Sequence, residues 1–218
     1  MGTEREGLAM TGRIQRIADW FLFAFDTDMS RADRARWKTA SSLADIGDLT
    51  VEWLHGGITQ TPGHGGPPCE ETIPHLEVLA AANRAGFVTT NSQSASSPEQ
   101  AARHGAPWEA WADGLVSDNA LQRIRAAVIG TPLLLAGARG RQRFGEARWP
   151  GMRGAWRDEV SFYEARCPDA ASEIRAAWLI TITDPEPGTN ARLWPMLAAF
   201  AGATTACPSC SYCNGGTA

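Results

Sequence analysis

The stretch from Glu70 to Ala95, EETIPHLEVLAAANRAGFVTTNSQSA, leaves a folding chain few choices. Ile73, Leu76, Leu79 and Ala80 recur close to a 3.6-residue period and predict a helix over Thr72–Ala85. Glu70 and Glu71 suit the positive end of its dipole, Pro74 fits a first turn, and Gly86 is the expected stop. Phe87–Thr90 then reads as a short strand that runs out through Thr89, Thr90, Asn91, Ser92 and Gln93. In open α/β sheets ligands bind at the carboxyl ends of strands, so this polar run marks a candidate site. Asn91 is assigned a catalytic amide there, with Thr89, Thr90, Ser92 and Gln93 as substrate-binding groups. No G-x-S-x-G elbow surrounds Ser92, which argues against a serine hydrolase.

The rest of the chain keeps the same rhythm. Ser30 predicts an N-cap with Asp33 three residues on, in a helix that carries Trp37 and Leu43. Asp45–Leu54 reads as a second helix, and glycine and proline make Gly56–Pro68 a loop. A Ser/Ala/Pro-rich loop over Ser92–Pro107 follows the first strand, with room for a helical turn around Glu99–Arg103. Trp111–Val116, a helix from Asp118 to Val128 and Thr131–Ala136 then form an apparent βαβ unit. Gly137–Gly154 is basic and glycine-rich, and helices are expected at Glu159–Ala165 and Pro168–Ala176. Trp178–Thr183 is the plainest strand, ending at Asp184–Pro185, and Arg192–Ala203 closes the chain's main body as a helix. The expected architecture is α/β: one domain (30–203) with a mostly parallel or mixed central sheet flanked by helices. An N-terminal amphipathic helix (1–29) and a flexible cysteine-bearing tail (204–218) flank it.

Three segments together carry a family resemblance: SLADIGDLTVEWLHG (Ser42–Gly56), EETIPHLEVLAAANRAGFVTTNSQ (Glu70–Gln93) and ITDPEPGTNARLWPML (Ile182–Leu197). The chain resembles an actinobacterial family of small proteins known only as a domain of unknown function. The resemblance implies organisation and no chemistry. It departs from the family pattern after Gln93, where Ser94–Ala95 replaces an expected Pro-Gly, and after Trp108, where Glu109–Ala110 replaces an expected Gln-Arg.

Composition removes several functions. The 218 residues are 44% hydrophobic and 20% charged, which are globular values. A net charge of −4 offers no bulk attraction for nucleic acid, so a small-molecule ligand is the favoured partner. The apolar run Trp20–Phe25 is too short to span a bilayer. The aromatic side of the N-terminal helix suits a protein partner. Five unevenly spaced cysteines do not make a secreted disulfide framework, so a cytoplasmic location is expected.

The remaining chemistry is carried by carboxylates, arginines and thiols. Asp184 directly follows the best strand and is assigned, with Glu71, to acid–base work; Glu70, Asp113 and Glu186 are further carboxylates to weigh. Arg139 and Arg143 lie in a glycine-rich stretch and are assigned to an anionic group of the substrate. Cys69 at the mouth of a helix is a candidate nucleophile, and His64 in the preceding loop is placed to reach a ligand. Cys207, Cys210 and Cys213 have the C-x2-C-x2-C spacing of a zinc knuckle that lacks a ligand, which Cys69, Cys167 or a histidine would supply. The expectation is a small hydrolase or group transferase acting on a polar, phosphate-bearing small molecule. The alternative is a non-catalytic module that binds a protein or nucleic acid through the N-terminal helix and the tail.

Overall fold

The computed structural model describes residues 29–145 and 160–202. The N-terminal segment 1–28 and the tail thiols Cys207, Cys210 and Cys213 lie outside the described residues. Ser30 caps helix α1 (Arg31–Lys38), its hydroxyl accepting from the Asp33 N–H. Ser42 does the same for α2 (Leu43–Leu54) through Asp45, so that helix begins two residues before the sequence reading placed it. A 3₁₀ turn (Ile73–His75) leads into α3 (Leu76–Arg84), and Gly86 at φ 93° turns the chain into β1 (Phe87–Gln93). Then follow α4 (Pro98–His104), β2 (Trp111–Val116), α5 (Asp118–Val128), β3 (Leu134–Arg139) and β4 (Gln142–Phe144). A helical stretch at 160–166, α6 (Ala171–Ala176), β5 (Trp178–Thr183) and α7 (Leu193–Phe200) complete the described chain.

The five strands lie in the order β1-β2-β5-β3-β4, and every neighbouring pair is antiparallel. The mostly parallel or mixed sheet expected from the sequence is therefore incorrect. The apparent βαβ unit explains the error. Strands β2 and β3 do run in the same direction around α5, but they are not neighbours, because β5 enters from the far end of the chain and fills the slot between them. All six residues of β5 are buried. A strand covered on both faces reads as a continuous apolar run, which resembles a parallel core strand. The basic stretch after Ala136 also differs from expectation: Gly137–Arg139 extends β3, and Gln142–Phe144 pairs back on it as a hairpin edge.

Helices cover both faces. On one, Leu79, Leu121, Ile124, Leu197 and Phe200 from α3, α5 and α7 pack on Phe87, Ala112, Val116, Ile180 and Ile182. On the other, Trp37, Ile46, Leu49, Tyr163 and Ile174 pack on Val88, Leu115, Ala136 and Leu179. Gly114 lets the Phe87 ring cross β2, since a Cβ there would lie 2.6 Å from that ring and 2.7 Å from the Val88 carbonyl oxygen. Among the described residues no helix is long and apolar enough to cross a membrane.

The edge strand β1 is fastened to α3 by one buried amide. Asn83 Nδ2 donates to the Leu79 carbonyl (2.8 Å) and to Thr89 Oγ1 (2.6 Å), while its Oδ1 accepts the Thr89 N–H (3.0 Å). Replacing it leaves buried backbone and hydroxyl groups without partners, which costs about 1–3 kcal/mol per group. Asn83→Ala is expected to lower unfolding stability by about 2–3 kcal/mol in urea titrations; a loss under about 0.5 kcal/mol would show that the amide contributes no net stability.

Candidate functional site

Antiparallel pairing has a useful consequence at one end of the sheet. Strands β1 and β5 both pair with β2, so they run in the same direction and end at the same rim. The polar run after Val88 and the turn after Thr183 are therefore brought to one place, by a sheet opposite in kind to the one expected.

Two sets of groups meet there. The first lies on the face of the second core. Asn91 pairs in register with Asp113, and Asp113 with Thr181, so an amide, a carboxylate and a hydroxyl stand side by side across three strands. The Thr181 hydroxyl donates to Asp113 Oδ1. Asp113 and Thr181 are buried, whereas Asn91 is exposed. One row nearer the rim, Gln93, Trp111 and Thr183 are register partners in the same way. A bulge between Thr89 and Asn91 gives β1 an extra residue, Thr90, whose buried Oγ1 has no hydrogen-bond partner among the described residues. Bulges of this kind re-aim side chains and recur next to active sites.

The second set forms the turn after β5. Asp184 Oδ1 accepts from Arg192 Nη1 and the Glu186 N–H, both at 3.2 Å, and its N–H donates to the Ala110 carbonyl at 2.9 Å. Arg192 also pairs with Glu186. Asn190 Oδ1 accepts from the Ala95 N–H (2.9 Å) and from Trp194 Nε1 (3.0 Å), tying the loop after β1 to the turn after β5. Trp108 Nε1 donates to the Ser94 carbonyl at 3.0 Å, and Ser94 Oγ donates to the Glu71 carbonyl at 2.7 Å. His75 stacks on Trp194 with ring centroids 3.9 Å apart and planes 9° off parallel.

The residues singled out from the sequence divide accordingly. Asn91, Gln93 and Thr90 reach the rim, and Ser92 shares the strand with its N–H bonded to Asn91 Oδ1. Thr89 is taken up by Asn83. Asp184 reaches the rim but is fully buried, and burial raises its carboxyl above the ordinary range against the opposing pull of Arg192. Only Oδ1 is engaged by the turn; Oδ2 is buried and has no hydrogen-bond partner among the described residues. Glu71 is exposed and enters the rim through its carbonyl alone.

Arg139 and Arg143 are at the other end of the sheet. Ala138 pairs with Leu179 near the start of β5, about 17 Å in strand length from Asp184. There Arg139 Nη1 lies 2.9 Å from both Asp118 oxygens, and its guanidinium sits 4.5 Å over the Trp178 ring. Hydrogen bonds from Arg139 first, and from Trp178, hold the Asp118 carboxyl below its usual range. Arg143 donates to the Gly140 and Gln142 carbonyls of the hairpin. An anion clamp at the rim is therefore not what these two arginines build.

The sequence reading missed Thr181, Thr183, Asn190 and Arg192. A signal for the first two exists in WLITIT, where both threonines fall on one parity and would share a face with Asp113 once the pairing is known. Among the described residues no group of three or more histidine, cysteine or acidic side chains is placed to hold a metal ion.

The chain matches, over residues 32–203, the model of a family described as a domain of unknown function (DUF6919), and it belongs to that family. No curated protein matches it.

The rim carries a titratable group whose sign is definite. Burial lowers the His75 imidazole to about 4, so between its ordinary value of 6.5 and about 4 the unfolded chain takes up a proton that the folded chain refuses. Stability from this source is complete above pH 6.5 and is lost as pH falls toward 4. Asp184, with its raised carboxyl, contributes in the opposite direction just above pH 3.8 and is common to both proteins compared. His75→Phe, which keeps the stack on Trp194, is expected to flatten the fall in urea-unfolding stability between pH 6.5 and pH 4. Parallel stability curves for the two proteins would contradict the assignment.

Proposed function

We propose that this DUF6919 protein is a small cytoplasmic enzyme, a hydrolase or group transferase. It acts on a polar small molecule held at the rim where β1, β2 and β5 meet. The observation that carries the reading is the cross-strand row of Asn91, Asp113 and Thr181 on a face otherwise packed with Val88, Leu115, Leu179 and Ala136. Polar groups in such a position cost stability unless they are satisfied, and sites of function are where that cost is tolerated. In this reading Asp113 is the acid–base group, Thr181 fixes its orientation through Oδ1, and Asn91 presents its amide to the substrate from the exposed end of the row. Asp184 and Arg192 hold the turn that borders the site, in place of the catalytic role first given to Asp184.

The substrate proposed is polar but not dependent on a phosphate. Arg139 and Arg143 are engaged at the far end of the sheet, and Arg192 at the near end is matched by Asp184 and Glu186. The alternative of a binding module rests on the N-terminal segment and the tail, which lie outside the described residues.

The test is a thermal-shift screen of the full chain against uncharged and charged polar metabolites, with native mass spectrometry to find any ligand that co-purifies. Once turnover of a hit is measurable, Asp113→Asn is expected to lower kcat by about 10²–10⁴-fold, the usual contribution of one acid–base group. Asn91→Ala is expected to raise KM, and Arg139→Gln to leave both constants unchanged. Full activity in folded Asp113→Asn protein would remove the proposed site.

A further inference from the structure

Five of the six tryptophans among the described residues have a settled place. Trp37, Trp53 and Trp108 donate Nε1 to the Gln60, Gly66 and Ser94 carbonyls, Trp178 donates to Asp118, and Trp194 to Asn190 Oδ1. Each of the five also stacks on another ring or meets one edge to face. Trp111 makes neither kind of contact among the described residues. It is partly exposed and belongs to neither hydrophobic core. An indole is a large apolar group with one donor, and a fold that uses it for stability ordinarily satisfies both.

Strand register fixes what surrounds it. Trp111 pairs with Gln93 on β1 and with Thr183 on β5, and Thr183 pairs in turn with Leu134 on β3. Two residues further in along each strand, and so on the same face, stands the row of Asn91, Asp113 and Thr181. The two rows are about 7 Å apart, and three strands span about 10 Å. The indole therefore lies among two amides, a carboxylate and two hydroxyls, with Leu134, 42% exposed, in the same row. Asn91 Oδ1 is taken by the Ser92 N–H, which leaves Nδ2 as the group that amide offers. Gln93 is partly exposed, and its side chain has no hydrogen bond among the described residues.

An apolar plate ringed by mixed donors and acceptors complements one class of ligand closely. A sugar ring has C–H groups on its faces and hydroxyls around its edge. Those C–H hydrogens are weakly positive, because each carbon carries oxygen, and they suit the negative face of an indole. Each hydroxyl both donates and accepts, a mixture that amides, hydroxyls and a carboxylate match. Charge points the same way. Arg192 at this rim is paired with Asp184 and Glu186, so its charge is neutralised rather than held for a phosphate.

We propose that the ligand of the rim site is an uncharged carbohydrate, whose ring stacks on Trp111 while Gln93 and Asn91 bind its hydroxyl groups. The inference rests on the functional reading of this rim and adds the class of molecule that Asp113 acts on.

The full chain, labelled with nitrogen-15 at its tryptophan indoles, is titrated with glucose, galactose, mannose, N-acetylglucosamine, maltose, cellobiose and trehalose. Adenosine and glutamine serve as comparisons that are polar but not saccharides. One indole N–H signal is expected to move with at least one saccharide, and Trp111→Phe identifies that signal by its loss. Trp111→Ala is expected to weaken binding of the same saccharide at least about tenfold, since it removes both apolar area and the ring face. Trp111→Phe, which keeps a ring, is expected to retain most of the affinity. Gln93→Ala and Asn91→Ala are each expected to weaken it about 3–10-fold, the contribution of one hydrogen bond. Circular dichroism of these variants is expected to match the parent chain; should Trp111→Ala lose structure, the Trp111 signal in the parent chain decides alone. A Trp111 signal that no saccharide moves overturns the proposal, as does unchanged affinity in folded Trp111→Ala. Asp113→Asn separates this inference from the reading it rests on. A saccharide bound at Trp111 whose turnover does not need Asp113 supports the carbohydrate and removes the assigned acid–base group. Asp113-dependent turnover of a compound that is not a carbohydrate keeps that group and overturns the carbohydrate.

Discussion

Everything positioned in this structure depends on where β5 goes. Its six buried residues wedge between β2 and β3, antiparallel to both, and supply the central ridge that the helices on either face pack against. That direction fixes which groups can meet. Because β5 ends where β1 ends, Asn91, Asp113, Thr181 and the Asp184 turn share a rim. Because β3 runs the other way, Arg139 is carried to the opposite end, where it closes on Asp118 and Trp178 instead. A parallel β5 would have reversed those assignments.

The polar groups near the rim fall into two kinds according to what satisfies them. Asn83, Asn190 and Ser94 bond backbone groups of other segments, and the Thr89 hydroxyl is held by the Asn83 side chain. Asp184 belongs with them through Oδ1, which receives Arg192 and the Glu186 N–H from within its own turn, while its buried Oδ2 has no partner among the described residues. The Asn91–Asp113–Thr181 row is different because it sets an amide, a carboxylate and a hydroxyl across three strands of an otherwise apolar sheet face, with one member open to solvent. That distinction moved the proposed chemistry from Asp184 to Asp113.

Local capping and stop signals were legible residue by residue. Ser30 and Gly86 act as expected, since a cap or stop depends only on atoms within three or four residues; the Ser42 cap is just as local, but the sequence reading began that helix at Asp45 and missed it. The polar end of β1 was also visible as a strand running into turn-forming residues. Pairing was not. Whether two strands are parallel is decided by contacts between residues far apart in sequence, and Trp111–Ala136 carries the pattern of a βαβ unit whether or not a third strand enters its gap. The loop with His64 shows the same limit. Glycine and proline announce a loop, but its shape is set by partners distant in sequence, the indoles of Trp37 and Trp53 and the Asp33 carboxylate among them.

What the sequence determined alone was the approximate place of most helices and strands, though not β4 or most exact ends, and the residue types available for chemistry, all of which follow from short-range periodicity and backbone freedom. Tertiary structure decided the hand of every strand pair, the burial of Asp184, the removal of Arg139 and Arg143 from the rim, and the approach of Cys69 to His64. Each of those is set by long-range packing, in which an apolar strand takes the position that covers both of its faces and the polar groups are carried wherever that position leaves them.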